Sequence, residues 1–300
     1  MAIVLGKAGV DGLSEVVGVL REWQTDGAPG QLHTGDLGWL WRYGVEATAA
    51  AVRTWSREGQ ILAVGLLDGP ESLRVMIAPD AQRDEELAQQ LVEAVTEPER
   101  GVLPEGKVNI GAPAGSLVRD LLFENGWKVG EPWTPLSRDL AEPVADPGMR
   151  VEVVGPEKAY VRAAVQRASF DGSRFTDDLW RAMAAGVPYV DARCLVAYDD
   201  LGIAVAAVTV WSAGSGRPGL LEPMGVHREH RGHGYGRVIS LAAAASLQEL
   251  GSSSAIVCTP SSNVGAVATY RSAGFQQHPE VRDQYRDVLP LGSSITSEAR

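Results

Sequence analysis

Five positively charged or chargeable side chains crowd into ten residues, Arg228-Glu229-His230-Arg231-Gly232-His233-Gly234-Tyr235-Gly236-Arg237. The apolar run Leu220 to Val226 leads into this segment without a helix cap, as a buried strand would. Val238 to Leu250 follows it and is rich in Ala and Leu, which are strong helix formers. A strand feeding a glycine-rich turn that opens a helix is an anion site, because the turn's N–H groups and the helix N-terminus aim at the same point. The glycines let backbone approach a phosphate and take positive φ where needed. The spacing excludes two nucleotide motifs. A P-loop needs Gly-Lys-Ser/Thr, but Gly236 is followed by Arg237-Val238. A dinucleotide fingerprint needs its glycines directly after the first strand of a βαβ unit, with an acidic residue about 20 positions on. What stands is Arg231-x-x-Gly234-x-Gly236, five residues after Val226.

A second segment carries matching chemistry. Ile256-Val257-Cys258 reads as a short buried strand. Asn263 then stands where a helix N-cap belongs, and Gly274 where a C′ glycine belongs. The two segments, Arg231-x-x-Gly234-x-Gly236 and Asn263-x-x-Ala266-x-x-x-Tyr270-x-x-x-Gly274-Phe275, resemble in type and order the signatures of the GNAT superfamily of N-acetyltransferases. Arg174-Phe175-Thr176, Trp180, Met183 and Glu222-Pro223-Met224-Gly225-Val226 look like its tandem members, in an arrangement of the mycothiol synthase kind.

The resemblance implies acetyl-CoA as co-substrate. It implies that the backbone N–H groups of Arg231, Gly232, His233, Gly234, Tyr235, Gly236 and Arg237 hold the pyrophosphate, with charge-assisted contacts from Arg231 and Arg237. Met224 and Val226 would pair with pantetheine through their backbones, the Val226 N–H facing the thioester carbonyl. Gly225 would mark a bulge that splays this strand from the next, and Asn263 would bind the cofactor arm. Tyr270 matches the family's usual general acid. A phenol near pKa 10 suits a thiolate leaving group, and the competing reading is a core tyrosine on a helix. Glu222 is the expected general base, directly or through water; it lies on the face of Val226 if the bulge leaves the count unchanged. The competing reading there is a structural ion pair. Asp171, Asp177 and Asp178 lie where an acceptor amine would be attracted, although Asp177 and Asp178 also suit a helix start. His227, His230 and His233 recur every third residue; phosphate binding explains the segment better than a metal site, and no metal is expected.

These groups need elements to position them. The chain of 300 residues suits two domains of about 150 each. Helices are expected over 8–23, 84–95, 116–124, 157–170, 179–185 and after the glycine turn. Strands are expected over 60–67, 72–78, 107–110, 127–130, 134–139, 150–154, 193–198, 202–211 and 220–226. The order repeats: Ile77 aligns with Val226 at an offset of 149, and Gly126-Trp127 with Gly274-Phe275 at 148, which indicates a duplicated unit. The expected fold is therefore α/β (α+β mixed sheet), two tandem GNAT-like domains, each a mostly antiparallel central sheet flanked by helices. Residues 1–140 form a degenerate copy, 141–149 a Pro- and Ala-rich linker, and 150–300 the catalytic copy. Where the second copy has its glycine turn, the first reads Gln82-Arg83-Asp84-Glu85-Glu86-Leu87-Ala88, whose carboxylates favour the helix start and repel a pyrophosphate.

Charge agrees with this division. Residues 1–150 hold 13 Lys+Arg against 23 Asp+Glu, and residues 151–300 hold 14 against 15, so an anionic cofactor suits the second half. The net charge of −11 without a basic stripe speaks against nucleic acid. No run of 18 apolar residues suggests a membrane span, and the first residues do not read as a signal peptide. Cys194 and Cys258 fall in apolar runs and read as buried reduced thiols, in keeping with a cytoplasmic protein. The expected function is acetyl transfer to a primary amine of a small molecule by direct attack in a ternary complex, by a monomer or homodimer. The alternatives are a non-catalytic acyl-CoA-binding regulatory module, or acetylation of a protein or peptide amine.

Overall fold

The computed structural model describes residues 2–27 and 31–287; the end of the expected second domain, 288–300, lies outside them. In chain order the elements are β1 (Val4–Lys7), α1 (Leu13–Glu22), α2 (Thr34–Leu40), α3 (Val45–Ala51), β2 (Val52–Arg57), β3 (Gln60–Leu67) and β4 (Ser72–Ile77). Then come α4 (Glu85–Thr96), β5 (Val108–Gly111), α5 (Leu117–Glu124), β6 (Lys128–Asp139), β7 (Val151–Val153), α6 (Ala159–Ser169) and α7 (Asp177–Ala184). The chain ends with β8 (Ala192–Tyr198), β9 (Ala204–Ser212), β10 (Gly219–Val226), α8 (Tyr235–Glu249), β11 (Ser254–Pro260), α9 (Val264–Ser272), β12 (Gln276–Gln277) and β13 (Val281–Arg286). β6 is one strand where two were expected. Proline's fixed φ suits extended backbone and costs a strand only the N–H it removes, so Pro132 and Pro135 do not break it.

The chain divides into two compact units, and they are not its sequence halves. The larger contains Lys7–Val52 and Pro132–Val281. Its sheet has the order β6-β11-β10-β9-β8-β7. The β10–β11 pair is parallel and the other neighbours are antiparallel. Both faces are covered. One core joins Leu221, Val238, Leu247, Val257, Tyr270 and Phe275 under α8 and α9. The other joins Val165, Trp180, Met183, Cys194, Trp211 and Leu220 under α6 and α7. Helix α8 is buried without a break from Val238 to Ala244, a stretch that ends in three alanines, whose small side chains suit close packing. Helix α7 starts at Thr176, whose hydroxyl accepts the Leu179 N–H at 3.2 Å, a cap worth about 1 kcal/mol.

Helix α2, from the N-terminal part of the chain, packs inside this larger unit. Gly35 and Gly38, three apart on one helix face, lie flat against the Trp211 ring, and Trp39 stacks on Phe175 at 5.3 Å. Residues that the linear repeat assigns to the first copy thus cover the sheet of the second.

The smaller unit contains the chain up to Gly6, Arg53–Glu131 and the chain from Arg282. Its strands follow the order β1-β2-β3-β4-β5-β13. β3 and β4 are antiparallel, β4 and β5 parallel, and β5 and β13 antiparallel. The C-terminal strand β13 reads as polar in sequence, yet Gln284 and Arg286 are buried; Arg286 donates to the Val95, Thr96 and Pro104 carbonyls.

Where a glycine turn would stand in this unit, Asp84 caps α4, accepting the Leu87 N–H at 2.9 Å. Arg57 grips the same carboxylate with both terminal nitrogens, at 2.7 and 2.9 Å, and reaches Glu86 at 2.9 Å. Chiefly through Arg57, the Asp84 carboxyl is held below its ordinary range. A carboxylate whose folded-state pKa is depressed contributes stability that is present above its unfolded pKa, about 3.9, and is lost as pH falls through the folded value. Asn caps a helix as well as Asp, so Asp84→Asn removes the ion pair and keeps the cap. In denaturant melts, wild type should exceed this variant by a constant margin at neutral pH, and the margin should close below about pH 4.

Candidate active site

The site begins with a broken pairing. β10 pairs with β11 at Gly219 and Leu220, opposite Ala255 and Ile256, and both strands then run on, β10 to Val226 and β11 to Pro260. Against β9 the register jumps: Leu221 faces Val210 and Met224 faces Val208, so Glu222 and Pro223 together oppose Thr209. This is a β-bulge. It lies at Glu222-Pro223, not at Gly225 as the sequence suggested, because Pro223 cannot supply a ladder N–H. Gly225 answers a different need. A Cβ there would stand 2.6 Å from Ser169 Cβ and 2.8 Å from the Phe170 ring.

The bulge changes the count of faces. Leu221, Met224 and Val226 pack on the α8 side, and Leu220 on the α6 side. By alternation Glu222 belongs to the α6 side, opposite Val226 rather than with it. The hydrogen bond from His227 N–H to Val205 O, 2.8 Å, sets the ladder phase beyond the bulge. In an antiparallel ladder bonded and non-bonded pairs alternate, so Gly225 spends its backbone groups on β9. Met224 and Val226 turn theirs toward the gap between β10 and β11.

The turn follows at the end of β10. Gly232 and Gly234 have φ of +82° and +84°, and a Cβ on either meets no atom within 4 Å; here glycine is required by conformation, not space. Gly236 is required by space, since a Cβ there would lie 2.7 Å from Thr269 Cγ2 on α9. Among the described residues, no acceptor meets the backbone N–H groups of Arg231, Gly232, His233, Gly234, Tyr235 or Gly236. These donors sit at the N-terminus of a 15-residue helix, where partial positive charge accumulates.

The arginines are placed otherwise than expected. Arg231 donates to Ser169 O at 2.8 Å and Arg228 to Ala168 O at 2.8 Å, both at the C-terminal end of α6. Arg237 donates to Ser272 O at 3.0 Å at the end of α9, and Arg138 donates to the neighbouring Ala273 O. Cations at helix C-termini are favourable. Burial first, and then the Arg237 charge, lower the Arg138 pKa, so two guanidiniums are pressed together beside the turn. Asp171 pairs with Arg228 at 3.0 Å. Asp177 and Asp178 occupy the first turn of α7, and Asn263 caps α9 by accepting the Ala266 N–H at 3.2 Å, leaving its amide group as a donor. His233 stacks on Tyr235, His230 lies tilted to the same ring, and His227 meets His230 edge-on. Among the described residues no group of three His, Cys, Asp or Glu could hold a metal.

Tyr270 is buried, 5% exposed, and its ring lies 5.6 Å from Phe275. Its hydroxyl bonds to no described residue. Desolvation first, and then the negative charge of Glu222, push its pKa up, so the phenol stays protonated. Tyr270 and Glu222 are therefore close enough to sense each other while belonging to opposite faces of the sheet. Cys194 is buried as expected, but Cys258 is exposed, because β11 has lost its neighbour there. Sequence reasoning missed Trp211, whose indole N–H donates to Glu222 O at 2.6 Å. The Gly35/Gly38 spacing fits a helix face made for close approach only once α2 is known to be a helix, so the sequence alone carried no signal for it.

Residues 163–275, which span α6 to α9, match the model of the acetyltransferase (GNAT) family. No curated protein matches the chain. Solved structures share its fold. A GCN5-related N-acetyltransferase from Sphaerobacter thermophilus is 18% identical with a TM-score of 0.60, covering 96% of each chain. A tandem GNAT protein from the clavulanic acid biosynthesis pathway is 16% identical at 0.60, covering 96% of this chain and 99% of its own. A GNAT-family acetyltransferase from Colwellia psychrerythraea is 13% identical at 0.59, covering 96% and 100%. The sequence match to the acetyltransferase (GNAT) family is confined to residues 163–275, which hold the splayed strand, the turn and the Tyr270 helix, and the fold along the chain is one that solved GNAT-family structures share.

Proposed function

We propose that the protein is an acetyl-CoA-dependent N-acetyltransferase that acetylates a primary amine of a small molecule within a ternary complex. The observation that carries this reading is the splay of β10 from β11, with Glu222 on one face, Tyr270 on the other, and the Met224 and Val226 backbone groups turned into it. Acetyl-CoA supplies the acyl carbonyl and the thiol leaving group. The six open N–H groups from Arg231 to Gly236 suit its pyrophosphate, Met224 and Val226 suit the pantetheine amides, and the Asn263 amide suits the same arm.

The residues then divide the work. Glu222 takes a proton from the acceptor ammonium, directly or through one water, on the α6 side. The Val226 N–H faces the carbonyl oxygen and stabilises the negative charge that develops there. Tyr270 donates its proton to the departing sulfur on the α8 side. Its raised pKa makes it a weaker acid than a free phenol. The sulfur it serves forms in the same dry place, where burial raises a thiol's pKa too, so the two remain matched. In the smaller unit the equivalent places are taken by the chain itself. Gln82 donates to the Ile77 carbonyl at 2.8 Å, and Asp84 with Arg57 occupies the helix start.

Titration and turnover measurements test this. In isothermal titration, acetyl-CoA should bind with one site per chain, and Gly234→Asp should abolish binding with the fold intact; two sites would refute the degenerate first copy, and unchanged affinity would refute the turn as the cofactor site. Tyr270→Phe should lower kcat by about 100- to 10,000-fold with acetyl-CoA affinity nearly unchanged, since the lost interaction belongs to the transition state. Because its phenol is held protonated, wild-type kcat should persist past about pH 10, where an ordinary tyrosine ionises. The Glu222→Gln defect should instead shrink as pH rises and more free amine is present. Binding of acetyl-CoA without thiol release on any amine would favour a non-catalytic module.

A further inference from the structure

The bulge that carries Glu222 needs a partner for its carbonyl, and that partner is Trp211. A bulge residue falls out of ladder register, so its backbone groups must be satisfied elsewhere or lie buried and unpaired. The indole N–H donates to Glu222 O at 2.6 Å. Trp211 itself is fully buried. The Tyr189 ring meets it edge-on at 5.9 Å.

What fixes the indole is α2. A Cβ on Gly35 would stand 2.5 Å from Trp211 Cγ, and one on Gly38 would stand 2.2 Å from Cζ3. Two glycines one turn apart thus form a flat bed for the ring. The helix is fixed in turn at its own start. His33 and Asp36 close a capping box, and His33 Nε2 lies 3.2 Å from the Pro218 carbonyl, immediately before β10.

We propose that α2 and Trp211 form a positioning clamp: the helix presses the indole, and the indole N–H holds the Glu222 bulge so that its carboxylate meets the acceptor amine. The inference rests on the reading of Glu222 as the base. Trp211 touches no reacting atom and acts through Glu222, so it is a positioning residue. The clamp gives the N-terminal segment a task in a reaction whose other residues lie in the family-matched region.

The test uses the full chain and measures thiol release from acetyl-CoA, with water as acceptor and with a panel of primary amines. Trp211→Phe removes the N–H and keeps an aromatic ring; Gly38→Ala keeps the N–H and displaces the ring. Each should lower kcat by about 100-fold, the cost of misplacing a reacting group by about 1 Å, and leave acetyl-CoA affinity unchanged. Each should also reproduce the pH profile of Glu222→Gln. The double variant Trp211→Phe/Glu222→Gln should be no slower than Glu222→Gln alone. Gly9→Ala, whose Cβ meets nothing within 4 Å, is the control and should match wild type. A folded Trp211→Phe chain with wild-type kcat, or a loss that adds in full to that of Glu222→Gln, would overturn the clamp. If Trp211→Phe does not fold, Gly38→Ala decides by the same criteria. Wild-type turnover in Glu222→Gln would overturn the base and the clamp together. A slow Glu222→Gln beside a fast Trp211→Phe would overturn the clamp alone. No thiol release from wild type with water or any amine removes both.

Discussion

A strand cannot pair on both sides and also present its backbone to a ligand. β10 resolves this with one extra residue. Glu222 and Pro223 share the place opposite Thr209, and beyond them the pairing with β11 has ended. The arrangement of the site follows. Met224 and Val226 turn their amides into the opening, Glu222 stays on the α6 side, and Tyr270 approaches from the α8 side. Without the extra residue, β10 would continue its parallel pairing, and the Met224 and Val226 backbone groups would be spent on β11.

The positive charge of the turn has a division of labour that residue types alone conceal. Arg228 and Arg231 are tied to carbonyls at the end of α6, and Arg237 to one at the end of α9. They fasten three helix termini around one turn. The open donors at the turn belong to the backbone, six N–H groups without an acceptor among the described residues. Fixed N–H groups of this kind lose no side-chain entropy when an anion arrives, whereas a free arginine loses about 2 kcal/mol of rotamer freedom.

Local chemistry was legible in the sequence, and distant pairing was not. The glycine turn, the Asn263 cap and the Thr176 helix start depend on residues within a few positions, and their spacing shows it. The bulge position depends on which β9 residue lies opposite, so Gly225 drew an inference that belonged to Glu222-Pro223. With it went the face assigned to Glu222, because a one-residue change in count reverses a strand's faces. Cys258 read as buried because its run is apolar, but its exposure is set by the loss of a neighbouring strand. Helix α2 was hidden in Gly35-Asp36-Leu37-Gly38, where two glycines argue against a helix until the Trp211 ring that requires them is known.

That ring also settles which contact governs which. Burying a tryptophan removes about 200 Å² from water, about 5 kcal/mol at 25 cal/mol per Å², whereas one satisfied hydrogen bond contributes about 1 kcal/mol. Packing therefore places the indole, and the carbonyl of Glu222 accepts the position it is given. The packing comes from α2, whose residues precede the family-matched segment 163–275 by more than a hundred positions. A chain cut at the linker would lose β6 from beside β11, expose Trp211 and take Trp39 off Phe175. Asp84 and Arg57 occupy the start of α4, and residues 34–40, from the N-terminal part of the chain, complete the core behind the Glu222 bulge. The chain's two compact units therefore do not coincide with its sequence halves, and a boundary drawn in sequence alone would cut through a packed core.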